Sequence, residues 1–193
     1  MNEQIKVRDG LAPNAHCVFK GVIFEVWQWE QKMFDGTTQV FERIWRAPTV
    51  EVIATVGDKI LIQEEDQPNR LNNINFPGGR ADQGSDIIQE AKRELLEETG
   101  YASNDWSVLL RHGKDKKVMH EVYYLVARNC EKAGEPHLDA GERIKSKLIT
   151  FDELIDLSEE PRFWTSPEFL TVLLRARYDQ GKKEELRKQI FGE

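Results

Sequence analysis

The sequence predicts an α+β fold with a mixed central sheet, a small N-terminal antiparallel β unit and a C-terminal helix. Three observations carry this. Segments rich in β-branched and aromatic residues recur from Cys17 to Thr150, separated by short turn signals. Among them lies one strongly helical stretch, 85–99, with glycines on either side. A second helix-start signature, Thr165-Ser166-Pro167-Glu168, opens the tail, with proline just inside the first turn.

Residues 1–15 form a short lead-in ended by Ala12-Pro13-Asn14. Residues 17–29 form one long or two short strands. Their second half alternates, with Phe24 and Val26 on one side and Glu25, Trp27 and Trp29 on the other. Asp35-Gly36 is a hairpin-turn signal, and 40–46 is the return strand. Residues 1–48 thus make a β unit too small to stand alone. The main domain is expected over 49–193. In it, 50–56 and 59–64 pair around Gly57-Asp58, residues 65–75 read as polar loop, and Asn75-Phe76-Pro77 leads into Gly78-Gly79. Ser85 suits a helix N-cap, Asp86 suits the first turn's dipole, and Gly100 suits the C′ position.

Strands at 106–111 and 118–127 follow, joined by a basic turn at 114–117 that reads as a solvated tip. His120 lies on the second and reads as structural. Residues 131–142 form a polar, acidic loop before a strand at 144–150. Thr150 opens the next helix, with Glu153 behind the cap. The last amphipathic helix runs to about Tyr178, Gly181 breaks it, and 182–188 are solvated.

The chemistry concentrates on the central helix. Residues three and four apart share a helical face, so Glu94, Glu97 and Glu98 project together and Glu90 extends the row. Ile88, Ala91 and Leu95 form an adjoining apolar stripe. The carboxylates therefore line the edge of a core. Clustered carboxylates repel one another, and a hard divalent cation removes the repulsion. Mg²⁺ commonly binds through carboxylates plus substrate phosphates. The alternative is a solvated acidic face in which Arg93 pairs with Glu90 or Glu97.

The length of the motif favours the metal. Gly79, Arg93, Glu94, Leu95, Glu97, Glu98, Gly100 and Tyr101 stand in one register that resembles the Nudix box. One position departs, because Ser85 stands where that family carries a glutamate supporting the loop and the motif arginine. The resemblance implies a Nudix α/β/α sandwich. Within the family the chain is most similar to the ADP-ribose pyrophosphatase group, which shares the N-terminal β unit and the acidic loop. It implies Mg²⁺ or Mn²⁺ held by Glu94, Glu97, Glu98 and the Gly78 carbonyl. Arg93 would hold the carboxylates. A loop glutamate would approach the metals or act as base; Glu142 matches that position and Asp139 is the runner-up.

The implied reaction is hydrolysis of a nucleoside diphosphate linked to another moiety, ADP-ribose or another nucleoside diphosphate sugar first. A dinucleoside polyphosphate is the second reading, and a catalytically weak nucleotide-binding protein the third. Trp27, Trp29 and Trp45 are candidates to stack a base, or else core or dimer contacts. Arg43, Arg46 and Arg80 are candidate phosphate contacts. Acidic residues, Glu64 to Asp66, stand where many ADP-ribose hydrolases carry a phosphate-binding arginine; Arg70 or Arg80 would have to compensate.

Composition narrows the partners. The chain has 193 residues, 39% hydrophobic and 32% charged, with a net charge of −7. That balance builds a core and disfavours a nucleic-acid polymer, whose phosphates call for a basic footprint. A small nucleotide stays open, since a metal brings positive charge. No apolar run approaches membrane-spanning length, and residues 1–6 lack a signal-peptide core. Cys17 and Cys130 read as free thiols, which suits a reducing cytoplasm. A homodimer is expected.

Overall fold

The computed structural model describes residues 7–82, 84–113 and 117–192. The expectations for residues 1–6 and for Lys114, Asp115 and Lys116 of the basic turn lie outside the described residues. In chain order the first strands are β1 (His16–Lys20), β2 (Phe24–Lys32), β3 (Thr38–Arg46), β4 (Thr49–Val56) and β5 (Lys59–Gln67). Next come β6 (Arg70–Asn75), β7 (Gly78–Arg80), helix α1 (Ile87–Thr99), β8 (Tyr101–Ala102) and β9 (Asp105–His112). The chain continues through β10 (Val118–Met119), β11 (Val122–Arg128), β12 (Glu131–Lys132) and β13 (Arg143–Ile149). Helices α2 (Phe151–Asp156), α3 (Pro167–Tyr178) and α4 (Gln180–Phe191) close it.

Two compact units result. One comprises Met1–Pro48 and His112–Val122, the other Thr49–Arg111 and Tyr123–Glu193.

The first unit holds a sheet in the order β1-β2-β3-β10. β2 pairs antiparallel with β3, while β10 joins β3 in parallel. The alternation read in β2 decides its inner face: Glu25, Trp27 and Trp29 are buried. Ala15, Trp27 and Trp29 form this unit's core, with Val7, Leu11, Cys17 and Trp45 packed against it. This corrects the base-stacking candidates. Trp27 has no exposed surface and its indole N–H donates to Glu25 at 2.9 Å, so its faces belong to the core. Trp29 is 6% exposed and donates to Gln31. Glu25 is tolerated there because Arg8 forms a close ion pair with it, its Nε donating at 2.8 Å. Burial works to raise the Glu25 carboxyl, but the hydrogen bonds from Arg8 and Trp27 outweigh it and hold the group below the usual range.

The second unit is built on a sheet in the order β13-β5-β4-β11-β9, with β6 on β5 and β7 on β4. Val50, Val52 and Ala54 of β4, with Leu61, Leu125 and Ala127, pack on Ala91 and Leu95 of α1. The intervening residues face the other way. There Tyr124 stacks on Phe169 of α3, ring centroids 4.4 Å apart, and Phe76 meets the same ring edge-on at 5.5 Å. Helices thus cover both faces, the α/β/α arrangement expected.

Several local expectations change. Residues 65–75 are not loop. β5 runs to Gln67 and β6 pairs back, with Glu65 opposite Asn73 and Gln67 opposite Arg70. Only Pro68 and Asn69 make the turn. The long strand at 118–127 is two strands, since β10 belongs to the first unit's sheet and β11 to the second's. The N-cap of α1 is Asp86, whose carboxylate accepts from the Ile88 and Gln89 N–H groups at 2.8 and 3.3 Å. Ser85 lies one residue too early. Thr150 and Glu153 cap α2 reciprocally, as their spacing indicates. Gly181 lies inside α4, which Asp179 caps and whose Leu186 and Ile190 are buried. The 182–188 segment is therefore half of an amphipathic helix.

Candidate active site

The site is assembled from α1 and the glycine turn before it. Gly78 pairs with Glu51 of β4, and a Cβ on Gly78 would sit 2.1 Å from the Val50 carbonyl oxygen. A Cβ on Gly79 would meet the Glu94 carboxylate at 2.7 Å. Gly79 thus leaves room for the Glu94 carboxylate, and Gly78 lets the turn lie against the backbone of β4. The Gly78 N–H donates to Glu98 Oε2 at 2.9 Å, and the Gln63 amide donates to the same oxygen at 2.8 Å.

Glu98 is 8% exposed. Burial pushes its carboxyl up to about 8 against the two hydrogen bonds, with further upward pressure from the charges of Glu94 and Glu142. Burial also raises Glu94, where the Arg93 guanidinium opposes it and Glu97 and Glu142 add to it. Burial raises Glu142; the Asp139 backbone opposes, while the charges of Asp139, Glu65 and Glu97 add. The helix and the acidic loop thus bring Glu94, Glu97, Glu98 and Glu142 into one field. Asp139 is exposed, and its N–H turns back to the Glu142 carboxylate at 3.4 Å.

Arg93 holds part of the cluster. It donates to Glu94 at 2.5 Å, to Glu97 at 2.6 Å and to Glu90 at 3.0 Å. Among the described residues, no three acidic, histidine or cysteine side chains converge as a ready-made metal cage. Arg93 instead engages oxygens of Glu90, Glu94 and Glu97.

The base of the acidic loop is tied to the end of α1. The His137 N–H donates to the Glu97 carbonyl at 2.7 Å, and Ala133 and Gly134 donate to the Gly100 carbonyl at 2.8 and 3.1 Å. Gly100 takes the left-handed conformation at φ 70°, with its N–H on the Leu96 carbonyl.

Three members of this cluster were not among the candidates. Glu51 is pushed up to about 8 by burial and by the charges of Glu98 and Glu65, with Arg70 opposing. Glu65 is buried and accepts from Gln67 at 2.7 Å and from Asn75. Gln63 is 1% exposed. A signal for Glu51 existed: a single acid within the apolar run from Val50 to Ala54.

Of the phosphate candidates, Arg80 is exposed on β7. Arg70 lies 4.0 Å from Glu65 and stacks over Trp164 at 4.5 Å. Arg43 and Arg46 belong to the first unit, where Arg43 donates to the Gly10 carbonyl at 3.0 Å and Arg46 lies over Phe24. His120 is also in that unit. Burial, with the charges of Arg46 and His112, lowers it to about 4, so it is neutral at physiological pH.

Comparison with known proteins fits this geometry. The NUDIX domain pattern matches residues 45–173. The chain belongs to the NUDIX family. This Nudix chain is 31% identical over 160 residues to the ADP compounds hydrolase NudE of Escherichia coli K12, covering 78% of this chain and 82% of that protein. It is 24% identical over 159 residues to a methanol dehydrogenase activator of Bacillus methanolicus, covering 80% and 86%. The crystal structure of an ADP compounds hydrolase shares the fold at a TM-score of 0.70 and 20% identity, over 95% of this chain and 99% of that one. The Nudix chain is accordingly an enzyme of the pyrophosphohydrolase class. No described helix is long and apolar enough to cross a membrane.

Proposed function

We propose that this Nudix enzyme uses a divalent cation, Mg²⁺ or Mn²⁺, to hydrolyse a nucleoside diphosphate linked to a second moiety. ADP-ribose or another nucleoside diphosphate sugar is the first choice. The observation that carries the reading is Glu98: a buried carboxylate, hydrogen-bonded in place, among neighbours of its own charge. Such a cluster is unfavourable alone and suits a cation of hard, oxygen-loving character. These donors are all oxygens, the ligand type such a cation takes, although among the described residues no three of the side chains converge on one point. Glu94, Glu97, Glu98, Glu142 and the Gly78 carbonyl would hold the cation. When bound, it would polarise the pyrophosphate and lower the pKa of a water.

The chain's own residues do the rest. Glu142, with its proton affinity raised by burial, is the base that takes a proton from the attacking water. Glu97 and Arg93 act together, the guanidinium fixing the carboxylate. Arg80, exposed beside the glycine turn, is the phosphate contact we favour. The activity in the name of the NudE relative, on ADP compounds, supports an adenosine diphosphate substrate. We also infer a homodimer, supported by exposed Phe19, Val22 and Phe41 on the first unit. The free Cys17 and Cys130 support a reducing, cytoplasmic setting.

The test is a hydrolysis screen of ADP-ribose, sugar nucleotides, NADH and dinucleoside polyphosphates with Mg²⁺ and Mn²⁺, beside Glu98→Gln. Metal-dependent turnover that the variant loses supports the proposal. Binding of one compound without turnover of any overturns it in favour of a nucleotide-binding protein.

A further inference from the structure

The departure at Ser85 leaves a question about α1. Arg93 is the hub of the acidic row, yet it is 45% exposed at its side chain and sits on a long, flexible stem. Something must hold the hub if it is to hold Glu94 and Glu97. The structure shows one group that does. Glu90 Oε2 accepts from both Arg93 Nε, at 3.3 Å, and Arg93 Nη2, at 3.0 Å. That two-point grip fixes the plane of the guanidinium as well as its position.

Glu90 is itself anchored from the other side. Burial works to raise the Glu90 carboxyl, but Arg93, the Ser85 side chain and the Asp82 backbone lie against it and together hold it below the usual range. Ser85 in turn donates to the Asp82 carbonyl at 2.7 Å, so the loop closes on itself. The Glu90 side chain is only 13% exposed despite its charge. A carboxylate on the outer face of a helix is ordinarily free to swing; this one joins the glycine loop to Arg93.

We propose that Glu90 is a positioning residue that locks Arg93 to the 82–85 loop and thereby sets the direction of the Glu94 and Glu97 carboxylates. Ser85 is short because Glu90 reaches to it from the helix. The support that a long acidic side chain at 85 would provide arrives from the opposite end, one turn up α1. Glu90 touches neither substrate nor cation. It acts only through Arg93, and this inference rests on the metal reading above.

The assay is Mn²⁺ binding to the full chain, read by the free-ion electron paramagnetic resonance signal, together with the melting temperature in EDTA. Groups behind metal ligands typically change affinity 10–100-fold, so Glu90→Ala is expected to weaken Mn²⁺ by at least about tenfold. The melting curve in EDTA stays close to that of the parent. Combining Ser85→Glu with Glu90→Ala restores most of the lost affinity, because the longer acid reaches Arg93 from the loop. A purely structural role would not be rescued from the other side of the bond. Should Glu90→Ala fold poorly, Glu90→Gln with and without Ser85→Glu reports the same contrast. Parent-like Mn²⁺ affinity in Glu90→Ala, or no recovery with Ser85→Glu, overturns the inference while leaving the metal reading intact. No Mn²⁺ binding by the parent, or full binding by Glu98→Gln, overturns the metal reading and this inference with it.

Discussion

Replacing Glu98 with glutamine should stabilise the metal-free protein at alkaline pH. Gln63 and the Gly78 N–H both donate to one oxygen of Glu98. A glutamine carbonyl can accept both bonds, and its amide fills the other oxygen's place. What the variant loses is charge. The Glu98 carboxyl stands at about 8 in the folded chain against an ordinary 4.5. Between those values the native state keeps a proton that the unfolded chain has released. Raising the pH through that window therefore drives unfolding, and the cost is complete only above about 8.

The full difference from 4.5 to about 8 sets an upper bound of about 5 kcal/mol. Glu51 shares the burden, since the charge of Glu98 helps to raise it. Polar relaxation reduces the bound, and about 2 kcal/mol should survive. In a chain of this length that is about 4–8 °C. The assay is thermal melting of parent and variant in EDTA at pH 4.5, 6, 7 and 8.5. The two curves should nearly coincide at the lowest pH, with the variant increasingly ahead above it. Adding Mg²⁺ should reverse the order, since at a hundredfold excess over its dissociation constant a ligand stabilises by about 2.7 kcal/mol. A variant less stable than the parent in EDTA at pH 8.5, or a gap that does not widen with pH, refutes the reasoning.

Two further outcomes concern stability. Arg8→Ala strips the buried partner from Glu25 and should cost about 3–5 kcal/mol, measured by denaturant unfolding followed through tryptophan fluorescence. Loss below about 1 kcal/mol would mean that the pair is not buried in solution. Asp86→Ala should cost about 1 kcal/mol by removing the α1 cap, and Ser85→Ala should cost less; the reverse order in urea unfolding would return the cap to Ser85.

Much of the site was legible because a helix turns spacing into geometry. Arg93 through Glu98 declare their shared face by number alone, and Gly78 and Gly79 announce a close approach. Strands carry no such rule across long separations. Glu51 and Glu98 lie 47 residues apart in sequence, and only the pairing of β4 with β7 brings Glu51 opposite Gly78. Gln63 and Glu65 were hidden likewise, on either side of the point where the strand reads as giving way to polar loop. The tryptophans show the opposite limit. Alternation placed Glu25, Trp27 and Trp29 on one side, but nothing in the letters says whether that side meets solvent. Arg8 answers it, by neutralising the one charge that argued for exposure.

The ties from His137, Ala133 and Gly134 to the end of α1 have a mechanical consequence. Those bonds occupy backbone carbonyls that a helix terminus would otherwise leave to water. The span that carries Glu142 is therefore moored at both ends, at His137 on the helix and at Arg143 in β13. Five residues, 138–142, lie between the two moorings. Glu142 travels like the middle of a footbridge: it can sag or lift, but it stays by the bank on which Glu97 stands. Fraying of the last turn of α1 would slacken the mooring and displace Glu142 at the same time.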